Sequence, residues 1–284
     1  MLEIYFESNE EVIRFCDGLF RDQKQLDLHW KTDAKWGNHL QFNHQLLNND
    51  MYEAVARSMV DVFVEHRLTK MIKGVVEKTY YYTNKEEIER ILDLTHWIIS
   101  SEEDQRTPSR SKEKQNPLQL LMSLFLDHVK DTNVIHFDSI VNFRLNVFKD
   151  QLIHYVGLAI DEFKREEDHQ SFINMLREYI SRKEAAYEMI HILQGENFSF
   201  FAADGHQFSH RELRTIMQKE PLYIVGLDGE EYNLAPLIAM APEKIKIYGD
   251  HPSEPKTLTV INVFQEKVDF EPIKNFPYTF SLNH

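Results

Sequence analysis

The 284 residues carry 32 basic and 46 acidic side chains, a net charge of −14, with 42% hydrophobic and 27% charged residues. That is enough apolar material for a buried core, which excludes a disordered chain. A lone cysteine excludes a disulfide-stapled scaffold, and nine Gly with nine Pro exclude collagen-like and low-complexity classes. No long segment is net basic, which argues against nucleic acid and anionic membrane surfaces as partners. No run reaches the ~20 apolar residues of a membrane span. The opening Met1–Glu7 has neither the basic start nor the apolar run of a secretory leader. The expected setting is the cytoplasm.

In chain order, Leu2, Ile4 and Phe6 alternate as in a half-buried strand. Ser8 or Asn9 caps a helix whose inner face holds Val12, Phe15, Leu19 and Cys16. Leu26, Leu28 and Trp30 alternate again, and a turn at Lys35–Asn38 leads to Leu40 and Phe42, so the opening reads β-α-β-β and ends in a hairpin. Helical spacing follows through Val55, Met59, Val62, Phe63 and His66, then Met71, Ile72, Val75 and Val76. Thr83 or Asn84 caps a further helix with Ile88, Ile91, Leu92, Thr95 and Ile98 inside. Ser100–Asn116 has no apolar side chain except proline and reads as a linker or long loop. Within it Arg106, Arg110, Lys112 and Lys114 stand next to Glu102, Glu103 and Asp104, as in a solvated loop.

Pro117 fits the first position of a helix through Leu120, Leu121, Leu124, Phe125 and Val129. From Phe137 to Lys183 the spacing predicts two amphipathic helices forming a hairpin. The first carries Leu145, Phe148, Leu152, Val156, Ala159 and Phe163, the second Phe172, Met175, Leu176 and Tyr179, with the turn at Lys164–His169. Strand-like spacing then covers Glu188–Leu193 and Phe198–Ala202. Asp204-Gly205 marks a tight turn, and Ser209 with Glu212 forms a capping box for a helix to Gln218. Leu222–Val225, Lys244–Tyr248 and Leu258–Val268 read as strands, Asp228-Gly229 as a turn, and Asn233–Met240 as a helical turn broken by Pro236.

The fold class expected is α+β. The partition expected is an N-terminal α/β unit followed by helices over 1–99, a flexible linker or long loop over 100–116, a central helical region over 117–186, and a C-terminal mixed α/β, β-rich region over 187–284. The C-terminal sheet is expected to be mainly antiparallel.

Motifs for chemistry are scarce. His206 and His210 are four apart, but the capping box leaves His206 outside the helix, with no HExxH pattern or adjacent cysteine. His39 and His44 straddle a strand end. Cys16 reads as a small core hydrophobe. Asp161 and Arg165 form an i,i+4 pair, while Glu162 and Glu166 repel unless a cation intervenes. Walker, GxGxxG, GxSxG and CxxC patterns are all absent. No catalytic residue, metal or cofactor is expected.

Four blocks carry a resemblance: Asn142-Phe143-Arg144-Leu145, Ala159-Ile160-Asp161-Glu162-Phe163, Phe172 to Tyr179, and Ile190-His191-Ile192. Together they resemble the signature of the YtxC-like family, a family associated by name with sporulation. The resemblance implies a cytoplasmic setting and a sporulation role, and brings no activity, cofactor or catalytic residue. Read as residues, Phe143, Leu145, Phe163, Phe172 and Leu176 fit a core. Arg144 and Arg177 need carboxylates if buried, which Asp161 or Glu162 supply. The first expectation is a non-enzymatic protein acting through an unknown protein partner. The alternative is an enzyme or small-ligand-binding protein, with a polar pocket between the central helices and the C-terminal sheet lined by Arg144, Asp161, Glu162, Arg177 and His191.

Overall fold

A computed structural model describes residues 2–22, 28–33, 37–42, 48–104, 116–228 and 230–278. Backbone contacts divide the chain into two compact units, Met1–Arg165 and Glu166–His284. Helices dominate, and each unit holds one small mixed sheet, an α+β fold.

The first unit opens with strand β1 (Leu2–Phe6), helix α1 (Asn9–Asp22), and strands β2 (Leu28–Asp33) and β3 (Gly37–Phe42). β3 is antiparallel to both β1 and β2 and lies between them, which makes a split β-α-β unit. Alternation sends Leu2, Ile4 and Phe6 inward with Leu40 and Phe42, where Val12, Phe15 and Leu19 of α1 cover them. Cys16 lies half-buried at the edge of this layer, and burial pushes its thiol up to about 11, with Asp17 adding to the shift.

Helix α2 (Asn49–Phe63) passes through a π-helical turn, Val64–Leu68, into α3 (Thr69–Lys78). Phe63 and Leu68 are both buried although five positions apart, a spacing that a plain α-helix does not keep on one face. Helix α4 (Lys85–Asp104) includes Ser100 through Asp104, the first five residues of the linker or long loop expected over 100–116. Residues 105–115, with Arg106, Arg110, Lys112 and Lys114, lie outside the described residues, as does His44. Asn116 caps α5 (Pro117–Asp131), with Pro117 in its first turn. Strand β4 (Val134–His136) pairs parallel with β1 and completes the order β2-β3-β1-β4. Helix α6 (Phe137–Phe143) returns Phe137 and Ile140 to the same core.

The hairpin expected from Phe137 to Lys183 is not formed. One helix, α7 (Asn146–Ser181), runs through the charged stretch, and the boundary between the units falls inside it. Lys164–His169 holds Lys, Arg and Glu with no Gly or Pro, and nothing there stops propagation. Phe148, Leu152 and Phe163 are buried as expected, whereas Phe143 at the end of α6 is 74% exposed.

In the second unit β5 (Met189–Leu193) pairs antiparallel with β6 (Ser199–Ala202). Helix α8 (His210–Gln218) starts on the Ser209–Glu212 capping box. Ser209 donors hold the Glu212 carboxyl down at about 2, with His206 adding to the effect. Leu222–Val225 is a 3-10 turn rather than a strand, preceded by Pro221 and closed by Gly226 in the left-handed conformation. Pro236 lies in the first turn of α9 (Ala235–Met240), where a missing N–H costs nothing, so it opens this helix instead of breaking it. Gly229 is outside the described residues.

Strand β7 (Lys244–Tyr248) leads into α10 (Pro255–Phe264) and β8 (Val268–Glu271). The strand expected over Leu258–Val268 is therefore mostly helix. Thr257, Val260 and Phe264 are buried at helical spacing behind Pro255, and this burial outweighs the strand preference of the branched side chains. The sheet order is β6-β5-β7-β8, and two of its three pairings are parallel. The mainly antiparallel sheet expected is corrected because helices supply the crossovers that parallel neighbours require, α10 between β7 and β8, and α8 and α9 between β5 and β7.

Candidate functional site

The face of the first sheet away from α1 is built by the residues between the core positions. Tyr5 of β1 is in register with His39 of β3 and His136 of β4. Its ring is sandwiched between theirs, with centroids 4.3 and 4.6 Å away. Tyr5 Oη donates to Glu3 at 3.0 Å, and His39 Nε2 lies 3.1 Å from the same carboxylate. Burial first, then the hydrogen bond and charge of Glu3, raise the Tyr5 pKa.

Where the parallel strands β1 and β4 end, a cleft of about 480 Å³ opens, lined by Tyr5, Phe6, Glu7, Gly37, His136, Asp138 and Ser139. The carboxyl ends of parallel strands are where open sheets place ligands. Gly37 has φ +73°, and a Cβ there would stand 2.5 Å from the Phe6 carbonyl oxygen, so only glycine lets β3 start this close to the end of β1.

A half-buried ionic group backs the cleft. Arg67, on the π-helical turn, donates through Nε to Glu11 and through Nη2 to Asp138 at 2.7 Å. The Glu11 side chain is only 3% exposed. Its hydrogen bond is the largest cause raising the Arg67 pKa; burial opposes it, and the charges of Glu11, Asp138 and Glu7 add to it. Among the described residues, Glu11 Oε2 is a buried oxygen with no hydrogen-bond partner. The sequence reading missed this group. Its signals were the five-residue step from Phe63 to Leu68 and a carboxylate four positions before Phe15 on a buried helix face.

The residues expected as one polar cluster are divided between the two units. In the first unit, Arg144 is exposed at the end of α6, Asp161 is exposed on α7, and Glu162 pairs with Arg165, the role expected for Asp161. In the second unit, Arg177 donates through Nε and Nη2 to the Asn262 carbonyl at 2.9 and 2.7 Å, placing a cation at the C-terminus of α10. His191 is buried on β5 with Nδ1 3.0 Å from Tyr248 Oη. Its ring stacks on Tyr248 and meets Tyr278 edge-on at 5.3 Å. Burial, then Lys246, lowers its pKa against the opposing charge of Glu271.

His206 pairs with Glu212 at 3.1 Å, and among the described residues no three His, Cys, Asp or Glu side chains are grouped to hold a metal ion. No described helix is long and apolar enough to cross a membrane.

The sequence profile of the YtxC-like family matches residues 53–269. The chain is also similar to the uncharacterised protein YtxC of Bacillus subtilis (strain 168), with 30% identity over 224 residues, covering 77% of this chain and 76% of that protein. No solved structure matches it.

Proposed function

The chain belongs to the YtxC-like family, and from that premise we propose that it works in the cytoplasm through contact with another protein, within the programme that leads to spores. The supporting observation is an apolar stripe on α1. Ile13 is 51% and Phe20 43% exposed, and with Asn9 and the half-buried Cys16 they fall on one line of the helix. The line begins beside the sheet edge: Asn9 accepts from Asn38, and Asn38 accepts from the indole of Trp30, which is 45% exposed on β2. Grouped apolar and aromatic side chains on a strongly acidic chain are the composition of a protein-contact surface.

The test is site-specific photo-crosslinking from positions 13 and 20 in cells entering sporulation, with position 243 in the second unit as control. The same protein should be captured from both stripe positions and not from the control. A chain carrying Ile13→Glu and Phe20→Glu that folds, yet restores spore yield to a deletion strain as well as the unaltered chain, ends this reading.

A further inference from the structure

Within the second unit, α8 and the chain that follows it bound a cleft of about 500 Å³. Its floor is apolar: Met217, Leu222 and Leu227 line it and are buried. Tyr223, 79% exposed, forms part of the wall, and Tyr232 is fixed there by the His210 ring, with centroids 4.0 Å apart. Most of the carboxylates around the cleft have partners. Glu220 accepts from Lys183 at 2.8 Å and from Tyr179 Oη at 3.1 Å. Asp228 accepts from the Glu230 backbone N–H at 3.2 Å. Glu231 accepts from the N–H groups of Asn233, Leu234 and Ala235, which ties the loop to the start of α9.

Two lining side chains of opposite sign remain, Arg214 on α8 and Glu230 on the loop. Among the described residues neither side chain has a hydrogen-bond or ion-pair partner, and they do not pair with each other. Gly229, outside the described residues, has no side chain to alter that balance. A free cation and a free anion over one apolar floor specify a dipolar ligand. An anion alone would meet Glu230, and a cation alone would leave Arg214 unanswered. A carboxylate for the guanidinium, an ammonium for Glu230 and an apolar body for the floor satisfy all three, and the volume suits a small molecule. We propose that this cleft binds an apolar amino acid or short apolar peptide as its zwitterion, with the carboxylate on Arg214, the ammonium on Glu230 and the side chain over Met217, Leu222 and Leu227. The inference goes beyond the protein-contact reading and is independent of the stripe on α1.

The experiment titrates the full chain by calorimetry with leucine and with Leu-Leu, which separate the free amino acid from the short peptide. The N-acetylated form of each probe lacks the ammonium, the amidated form lacks the carboxylate, and Gly-Gly lacks the apolar body. Saturable binding of leucine, Leu-Leu or both is expected, with Gly-Gly and the blocked forms weaker by about tenfold or more. Arg214→Gln should remove the preference for the free probe over its amide, and Glu230→Gln the preference over its N-acetyl form. Glu243→Gln, on the exposed surface of the same unit, should leave every affinity unchanged. No saturable binding of either probe, blocked forms bound as tightly as free ones, preferences that survive Arg214→Gln and Glu230→Gln, or equal loss in Glu243→Gln would each overturn the assignment.

Discussion

Both sheets pair a tyrosine with histidine, and they leave the pair in different surroundings. In the first, Tyr5 stands between His39 and His136 on the face away from α1, and His136 is exposed. In the second, His191 stacks on Tyr248 beneath Phe276 and Tyr278, which reach Phe201 as well. The difference arises after the last strand of each sheet. β4 continues into α6, whose Phe137 and Ile140 return to the face already packed by α1. β8 is followed by a segment that folds over the other face, where Tyr278 Oη donates to the Ala203 carbonyl at 2.7 Å. In the second unit that cover converts the ring pair into core. The first unit closes its sheet end with charge, and the second closes its sheet face with rings.

Those closures differ in what their removal costs. The largest effect is expected for Arg67→Ala, which leaves the buried Glu11 carboxylate without its cation: about 3–5 kcal/mol of stability, read from urea unfolding. Pairing Arg67→Leu with Glu11→Gln should recover most of it, since the charge and its counter-charge leave together. Next comes the aromatic cover. Phe276 and Tyr278 are partly buried, and truncating both to Ala should cost about 2–3 kcal/mol, with proteolysis of the second unit accelerating before any change in the first.

Local signals made much of this legible. Leu2, Ile4 and Phe6 announce β1 because the pleat alternates; Pro117 and the Ser209–Glu212 box mark helix starts because caps act within one turn. Where local preference and tertiary burial compete, the reading fails. Val260, Ile261 and Val263 favour strand by shape, yet the helical spacing of Thr257, Val260 and Phe264 and a proline at the start put them in α10. A charged stretch reads as a turn, yet Lys164–His169 stays inside α7 because nothing there terminates the helix. The ionic group behind the candidate cleft is not legible in the sequence. It depends on Glu11, Arg67 and Asp138 meeting from three distant segments, one of them a π-helical turn, and no spacing within a single element encodes that. Arg177 and His191 stand out in the sequence, but their partners, the Asn262 carbonyl and Tyr248, come from other elements of the second unit.

Two glycines sharpen the contrast at smaller scale. Gly37 and Gly226 both sit at positive φ, +73° and +68°, but only Gly37 has a neighbour within 4 Å of where a Cβ would go. Gly226→Ala should cost about 1 kcal/mol for the left-handed backbone alone. Gly37→Ala adds the clash with the Phe6 oxygen and should cost about 2 kcal/mol. Equal costs would mean that the cleft floor yields, and that the ends of β1 and β3 are less tightly apposed than their register implies.

The smallest effect tests the sealed ring pair through pH. The His191 pKa is lowered from 6.5, with burial as the first cause. In the unfolded chain the imidazole takes up a proton near 6.5, while in the folded unit it resists protonation until the pH is lower. Between those values the unfolded state binds more protons, so stability falls as pH falls. The contribution is fully present above about pH 6.5 and is lost progressively as the pH drops toward the lower folded value. His191→Gln should therefore shrink the decline in urea midpoint between about pH 7.5 and pH 5.5. Removing Phe276 and Tyr278 should shrink it too, because water then reaches the ring and its pKa returns toward the ordinary value. A decline unchanged by both variants would place the pH sensitivity elsewhere and leave the cover over His191 without electrostatic consequence.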